Sequence, residues 1–138
     1  MKQDLIFAPM GALALLTFVV LALIPVRRFR AGAAGRVTAE DFRFGESQTV
    51  PGDVSIPNRN YMNLLELPTL FFAVCLMFYV AQRVDVAALV VAWTFVGLRV
   101  AHSLVHLTYN NVMHHLSAFA ASNVVLGVLW VMFFARHA

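Results

Sequence analysis

Long apolar runs alternate with short polar breaks along this chain, and one break is longer than the others. The first run, LIFAPMGALALLTFVVLALIPV, occupies about 5–26. At 1.5 Å of rise per residue, a helix of that length covers roughly 33 Å, enough to cross the hydrocarbon core of a bilayer. Further runs predict helices over about 58–82, 86–109 and 116–134. The pattern predicts an all-α protein, an integral membrane four-helix bundle, as a single four-span domain over 1–138. No internal repeat or low-complexity tract interrupts it.

The connections differ in kind. Segment 27–57 is the one long polar loop, punctuated by Gly32, Gly35, Gly45, Pro51, Gly52 and Pro57. Within it, TAEDF predicts a short helix with Thr38 as cap and Asp41 reaching back. The stretch ESQTVPGDVSIPN reads as turns. RVD, Arg83 to Asp85, is so tight that the second and third helices are expected to form an antiparallel hairpin. NNVMHH bridges the third helix to the fourth, and ARHA ends the chain.

Composition agrees with the pattern. The chain is 61% hydrophobic and 12% charged, with a mean hydropathy of +0.77, whereas a soluble domain carries about a quarter charged residues. The net charge of +3 points to membrane topology rather than to a nucleic-acid partner, because Arg27, Arg28, Arg30, Arg36, Arg43 and Arg59 account for six of the ten basic side chains and cluster between the first run and the opening turn of the second. The positive-inside rule then places loop 27–57 and the NNVMHH turn on the cytoplasmic side. The first run is read as a retained span, since arginines follow it rather than precede it. The sole cysteine, Cys75, lies inside an apolar run, so no intrachain disulfide forms and its reading is a small buried hydrophobe.

Two spans carry polar side chains at helical spacing. Arg59, Asn63 and Glu66 recur at i, i+4 and i+7 in the second; Arg99, His102 and His106 recur at i, i+3 and i+7 in the third. By helical rise, Glu66 lies roughly 13 Å and Arg99 roughly 15 Å from the cytoplasmic ends of their helices, with Asn63 and His102 near 10 Å. An ionised side chain facing lipid costs at least about 2.5–3.5 kcal/mol. Glu66 and Arg99 are therefore expected to share a hydrogen-bonded network, inside the bundle or at a subunit interface. Such a pair can serve helix register alone. The further polar groups Arg59, Asn63, His102, His106, Tyr109 and Asn110 exceed what one buried pair needs, and together they suit an anionic polar ligand beside an apolar one.

At RNYMNLLELP and LRVAHSLVHLTYNNVMHH the sequence resembles the MAPEG family, the membrane-associated proteins of eicosanoid and glutathione metabolism, as a divergent bacterial-type member. Arg59, Asn63, Glu66 and Pro68 are similar to its Arg–Asn–Glu–Pro signature, and Arg99 with His102 to its Arg-x-x-His. The resemblance implies a homotrimer in the bacterial inner membrane, with glutathione held between neighbouring subunits near the cytoplasmic face. It implies Arg59 and Arg99 on the glutathione carboxylates and Glu66 on its ammonium, with Asn63, His102 and His106 completing the site. The implied activity is a glutathione-dependent transferase or peroxidase acting on lipophilic small molecules that arrive from the membrane lipid. Catalytic members carry an arginine near the start of the fourth helix to hold the thiolate. Here Val100 to Ala135 contains no Arg or Lys, and Asn111 and His115 stand in that region, which makes His115 the candidate catalytic residue.

Two other readings compete. A MAPEG-like protein that binds glutathione, lipid or a partner without turnover fits the same stripes. His102 and His106 also form H-x-x-x-H, with His114 and His115 following, but the histidines are too few for a membrane di-iron set, so no metal is assigned. The aromatics Phe119, Trp130, Phe133 and Phe134 are expected to be lipid-facing or interfacial.

Overall fold

A computed structural model describes residues 1–135. The Arg136 and His137 of the ARHA end lie outside the described residues. Helix α1 spans Phe7–Ala33 behind a 3-10 turn at Gln3–Ile6; α2 spans Gly52–Leu65, α3 Pro68–Val80, α4 Val86–Leu107 and α5 Val112–Ala135. Taken together, α2 and α3 make one span, so the chain has four spans long and apolar enough to cross a membrane. Among the described residues no strand forms. The fold class is the all-α membrane bundle that the hydropathy pattern predicts.

Each helix turns one apolar seam inward. Leu13 and Val20 of α1, Phe71, Val74 and Phe78 of α3, Ala88, Ala92 and Phe95 of α4, and Leu126, Leu129 and Phe133 of α5 form one core. The Phe71 and Phe95 rings stack with centroids 4.6 Å apart, and Phe78 meets Phe133 edge-on at 5.2 Å. Outward positions such as Phe18, Val124 and Val131 are exposed and just as apolar. Acyl chains solvate those positions, so they carry no burial force. Close packing, helped by the small Ala88 and Ala92, holds the helices together instead.

The largest departure from the sequence reading is in the second span, which is not one continuous helix over 58–82. Pro68 has no N–H to give the Leu64 carbonyl, and its ring would collide with that carbonyl in an unbroken helix. The chain yields at Glu66, whose ψ of −102° is far from helical, and restarts with Pro68 in the first turn of α3. The Thr69 hydroxyl takes up the Leu65 carbonyl at 2.6 Å, so the break is satisfied locally. The span also starts earlier than predicted, at Gly52, so the end of the stretch read as turns is helical.

Other boundaries shift for similar local reasons. Helix α1 runs through Pro25 to Ala33, and α5 begins at Val112, which puts His114 and His115 on a helix rather than in a bridge. The tight link after α3 does not make α3 and α4 the main pair. Helix α4 packs most extensively on α5, and α2 on α1. Cys75 is buried in α3, as its surroundings predict.

What remains of the long loop is tied down. Asp41 accepts from the Thr38 N–H at 2.7 Å and from the hydroxyls of Thr38, Ser47 and Thr49 at 3.0, 2.9 and 3.0 Å. Arg28 bonds Glu46 at 2.9 Å and Arg36 bonds Asp53 at 2.7 Å. A groove of about 620 Å³ opens between α1 and the Ala39–Phe42 turn, walled by Ile24, Phe29, Val37 and Phe42. It is almost wholly apolar and lies away from the histidines.

The four bonds to Asp41, led by the Thr38 backbone N–H, hold its carboxyl down at about 2. A lowered folded-state value means that this anchoring is complete above the ordinary carboxyl value near 3.8 and fades as pH falls through about 2. Asp41→Asn is therefore expected to speed amide exchange of Thr38 and Ser47 at neutral pH, while wild-type protein shows comparable loosening only in strong acid. Hydrogen–deuterium exchange read by mass spectrometry checks this; equal protection in both proteins would place the anchor elsewhere.

Candidate functional site

The polar face of α4 is inside the protomer. Phe95, Arg99, His102, Ser103 and His106 are all buried, with Arg99 at 0% exposure. None of the three guanidinium nitrogens of Arg99 has a hydrogen-bond partner. Two rings flank it: the Phe119 and Phe95 centroids lie 5.1 and 5.5 Å from its Cζ. Desolvated cation–π contacts of this kind contribute about 2 kcal/mol, but a ring face leaves the N–H donors without acceptors.

Histidines surround the shallower part of the site. His102 Nδ1 lies 2.9 Å from the His115 carbonyl. A carbonyl only accepts, so Nδ1 carries the proton and Nε2 holds the lone pair in the neutral ring. That Nε2 is buried without a partner. His106 Nδ1 lies 2.7 Å from Asn110 Oδ1, which fixes the same tautomer. The His115 ring stands 4.7 Å from His106 and 5.7 Å from His102, with its Nδ1 buried and unpartnered. From α2, Asn60 is fully buried; its Oδ1 accepts from the Ser103 hydroxyl at 3.2 Å, and its Nδ2 has no partner.

The turn joining α4 to α5 shapes this cluster. Asn110 has φ 46°, a left-handed conformation that asparagine tolerates better than most residues. Its N–H closes onto the Val105 carbonyl at 2.8 Å. Asn111 then caps α5 by accepting from the His114 N–H at 3.1 Å. Two consecutive asparagines thus end one helix, start the next and set His115 against α4. Asn111 therefore has a structural task here. His114 is exposed, its Nδ1 3.0 Å from the Tyr109 hydroxyl.

Of the residues singled out by sequence, Arg99, His102, His106 and His115 come together, and the α2 stripe does not join them within the chain. Arg59 and Glu66 are exposed and Asn63 is half-buried. All three guanidinium nitrogens of Arg99 are unpartnered, so the expected Glu66–Arg99 bond is not made inside one protomer. Glu66 is exposed on the outside of the bundle, whereas Arg99 is buried within it. Sequence reasoning missed Phe119, Asn60 and Ser103. Phe119 sits beside Arg99 instead of facing lipid, and Phe133 is buried in the core. The signal for Asn60 was its spacing from Leu64 and Pro57, both buried on the same face. Among the described residues no group of three His, Cys, Asp or Glu side chains is arranged to hold a metal ion.

These features define a four-span helical membrane protein with a buried cation in its interior and an imidazole cluster toward one end. The chain belongs to the MAPEG family, whose model matches residues 6–135. No curated protein and no solved structure gives a significant match.

A buried guanidinium without acceptors is destabilising by the cost of its unmade bonds. Arg99→Met, which keeps the volume and removes the charge, is expected to stabilise the ligand-free protein by about 1–3 kcal/mol. Thermal unfolding of the detergent-solubilised protein measures it. A loss of stability would mean that water or an unseen acceptor already satisfies Arg99.

Proposed function

We propose that this MAPEG protein binds glutathione and uses it in a transferase or peroxidase reaction on lipophilic compounds from the bilayer. The observation that carries this reading is Arg99: fully buried, with every guanidinium nitrogen unpartnered. Such a group calls for an anion, and a carboxylate matches its planar fork. The Nδ2 of Asn60 adds a further donor without a partner. Arg99 and His106 are separated by about 10 Å of helix, close to the length of an extended tripeptide.

The α2 stripe supports an assembly. Arg59, Asn63 and Glu66 lie along the outside of a span, where acyl chains would impose the cost of bare polar groups. A neighbouring copy in a homotrimer covers that stripe and lets Glu66 take the ammonium of a shared glutathione. The arginines of 27–59 support a cytoplasmic opening in a bacterial inner membrane. A second reading, binding of glutathione or lipid without turnover, is favoured by the absence of Arg and Lys from Val100 to Ala135.

Glutathione titration of the purified protein by calorimetry tests the proposal. Loss of a charged hydrogen-bond pair at Arg99→Met or Glu66→Gln is expected to weaken binding roughly 10- to 100-fold. Unchanged affinity in both variants removes these residues from the site. Binding without product formation against several electrophiles selects the non-catalytic reading.

A further inference from the structure

One imidazole in the cluster is built differently from the others. His106 sits in the last turn of α4, 8% exposed, with its Nδ1–H donated to Asn110 Oδ1 at 2.7 Å. The acceptor is held by the backbone, because Asn110 adopts φ 46° and closes its own N–H onto Val105. His106 Nε2 is left with a lone pair and, unlike His102 Nε2, is not a fully enclosed orphan. An imidazole oriented through Nδ1 by a side-chain oxygen, with Nε2 free, is the arrangement that activates a nucleophile. Among the described residues no nucleophile accompanies it. Cys75 is fully buried in the apolar core, and Ser103 is already bonded to Asn60. The nucleophile must arrive with a ligand.

Building on the glutathione reading, we propose that His106 is the general base that generates the glutathione thiolate and that Asn110 is the residue positioning it. The thiol S–H bond breaks, its proton passes to His106 Nε2 and its electron pair stays on sulfur. The thiolate then adds to the β-carbon of an α,β-unsaturated carbonyl compound, forming a C–S bond, and the imidazolium returns the proton to the α-carbon of the resulting enolate. Atoms and charge balance, and the base is regenerated. The imidazolium formed in the first step stands beside the thiolate and supplies the cation that the span from Val100 to Ala135 otherwise lacks. The titratable neighbours of His106 are His102 on α4, with ring centroids 5.6 Å apart, and His115 on α5, at 4.7 Å. His115 thereby becomes a wall of the site, its carbonyl engaged by His102, and the base lies on α4.

The test uses the full-length protein in lipid nanodiscs, with glutathione and an α,β-unsaturated aldehyde as substrates. Wild-type kcat/KM is expected to rise with pH as the general base loses its proton. His106→Gln is expected to lose the ultraviolet thiolate band of bound glutathione and roughly 10²–10⁴-fold in kcat/KM, the usual worth of a general base, while calorimetry still detects glutathione. Asn110→Gly permits the left-handed turn but deletes the acceptor; it should lower kcat with KM little changed, and Asn110→Asp, which restores an oxygen, should recover most of the loss. Because the asparagine sits in a surface turn, this pair keeps the test decisive even if the His106 variant folds poorly. Retention of the thiolate band in His106→Gln, or equal pH profiles for wild type and Asn110→Gly, overturns the proposal. Failure of wild-type protein to bind glutathione appears in the calorimetry before any variant is made, and it overturns the underlying reading instead.

Discussion

A guanidinium enclosed among membrane helices is the constraint around which this molecule is organised. Arg99 lies well inside α4 and is fully buried. The protein surrounds it with the faces of Phe95 and Phe119, which offset part of the desolvation without accepting a hydrogen bond. The apolar seam that packs α4 therefore gives way, over its last two turns, to a polar interior. The extensive packing of α4 on α5 keeps that interior shut to lipid. Such a site is electropositive by construction, and the low dielectric around it strengthens every charge interaction made there.

Pro68 determines how the remaining polar groups relate to that cation. In an unbroken second span, Arg59, Asn63 and Glu66 would form one continuous stripe, with Glu66 near the depth of Arg99. The break places the helix end at Leu65, and Glu66 lies outward as Arg59 does. The chain thus carries two polar surfaces, α4's facing in and α2's facing out, with Asn60 and Ser103 forming the contact between them. A carboxylate outside and a guanidinium inside, not bonded to one another, are poorly satisfied in an isolated protomer. Under the proposed assembly, a ligand entering between copies completes both surfaces at once.

Much of this architecture was legible because lipid imposes simple rules. Run length and hydropathy identify the four spans, since the bilayer fixes how long an apolar helix must be. The i, i+3, i+7 spacing of Arg99, His102 and His106 places them on one buried face, and TAEDF encodes the Asp41 anchor. Facing directions were harder to read. In water the polar side of a helix faces out, but in a membrane both sides of α2 are plausible, and Arg59 and Asn60 are adjacent in sequence yet opposite in burial. Pro68 was visible, but one residue cannot reveal that the helix bends at Glu66 rather than at the proline. The NNVMHH stretch looked like a bridge because of its polarity; two asparagines compress the turn into a few residues and release the histidines to α5. Phe119 carries no pattern that separates a lipid-facing ring from one stacked on a cation.

The order of groups along α4 has a chemical consequence. Arg99 is deepest, His102 lies a turn nearer the α4–α5 turn, and His106 sits at the last turn beside Asn110. Under the proposed function, a ligand anchored by its carboxylate on Arg99 extends toward that turn, which brings its middle and far end to the imidazoles. A proton released there has a short route to the exposed polar turn, whereas one released beside Arg99 would be stranded in an apolar core next to a fixed positive charge. Under that proposal anchoring and proton transfer are separated along α4, with the permanent cation fully buried and the base beside the polar turn. An arginine at the turn would hold a thiolate but accept no proton at neutral pH; a histidine there accepts the proton and then supplies the charge. The Asn110 conformation has meaning in this light, because it spends an unfavourable backbone geometry on fixing which nitrogen of His106 remains available.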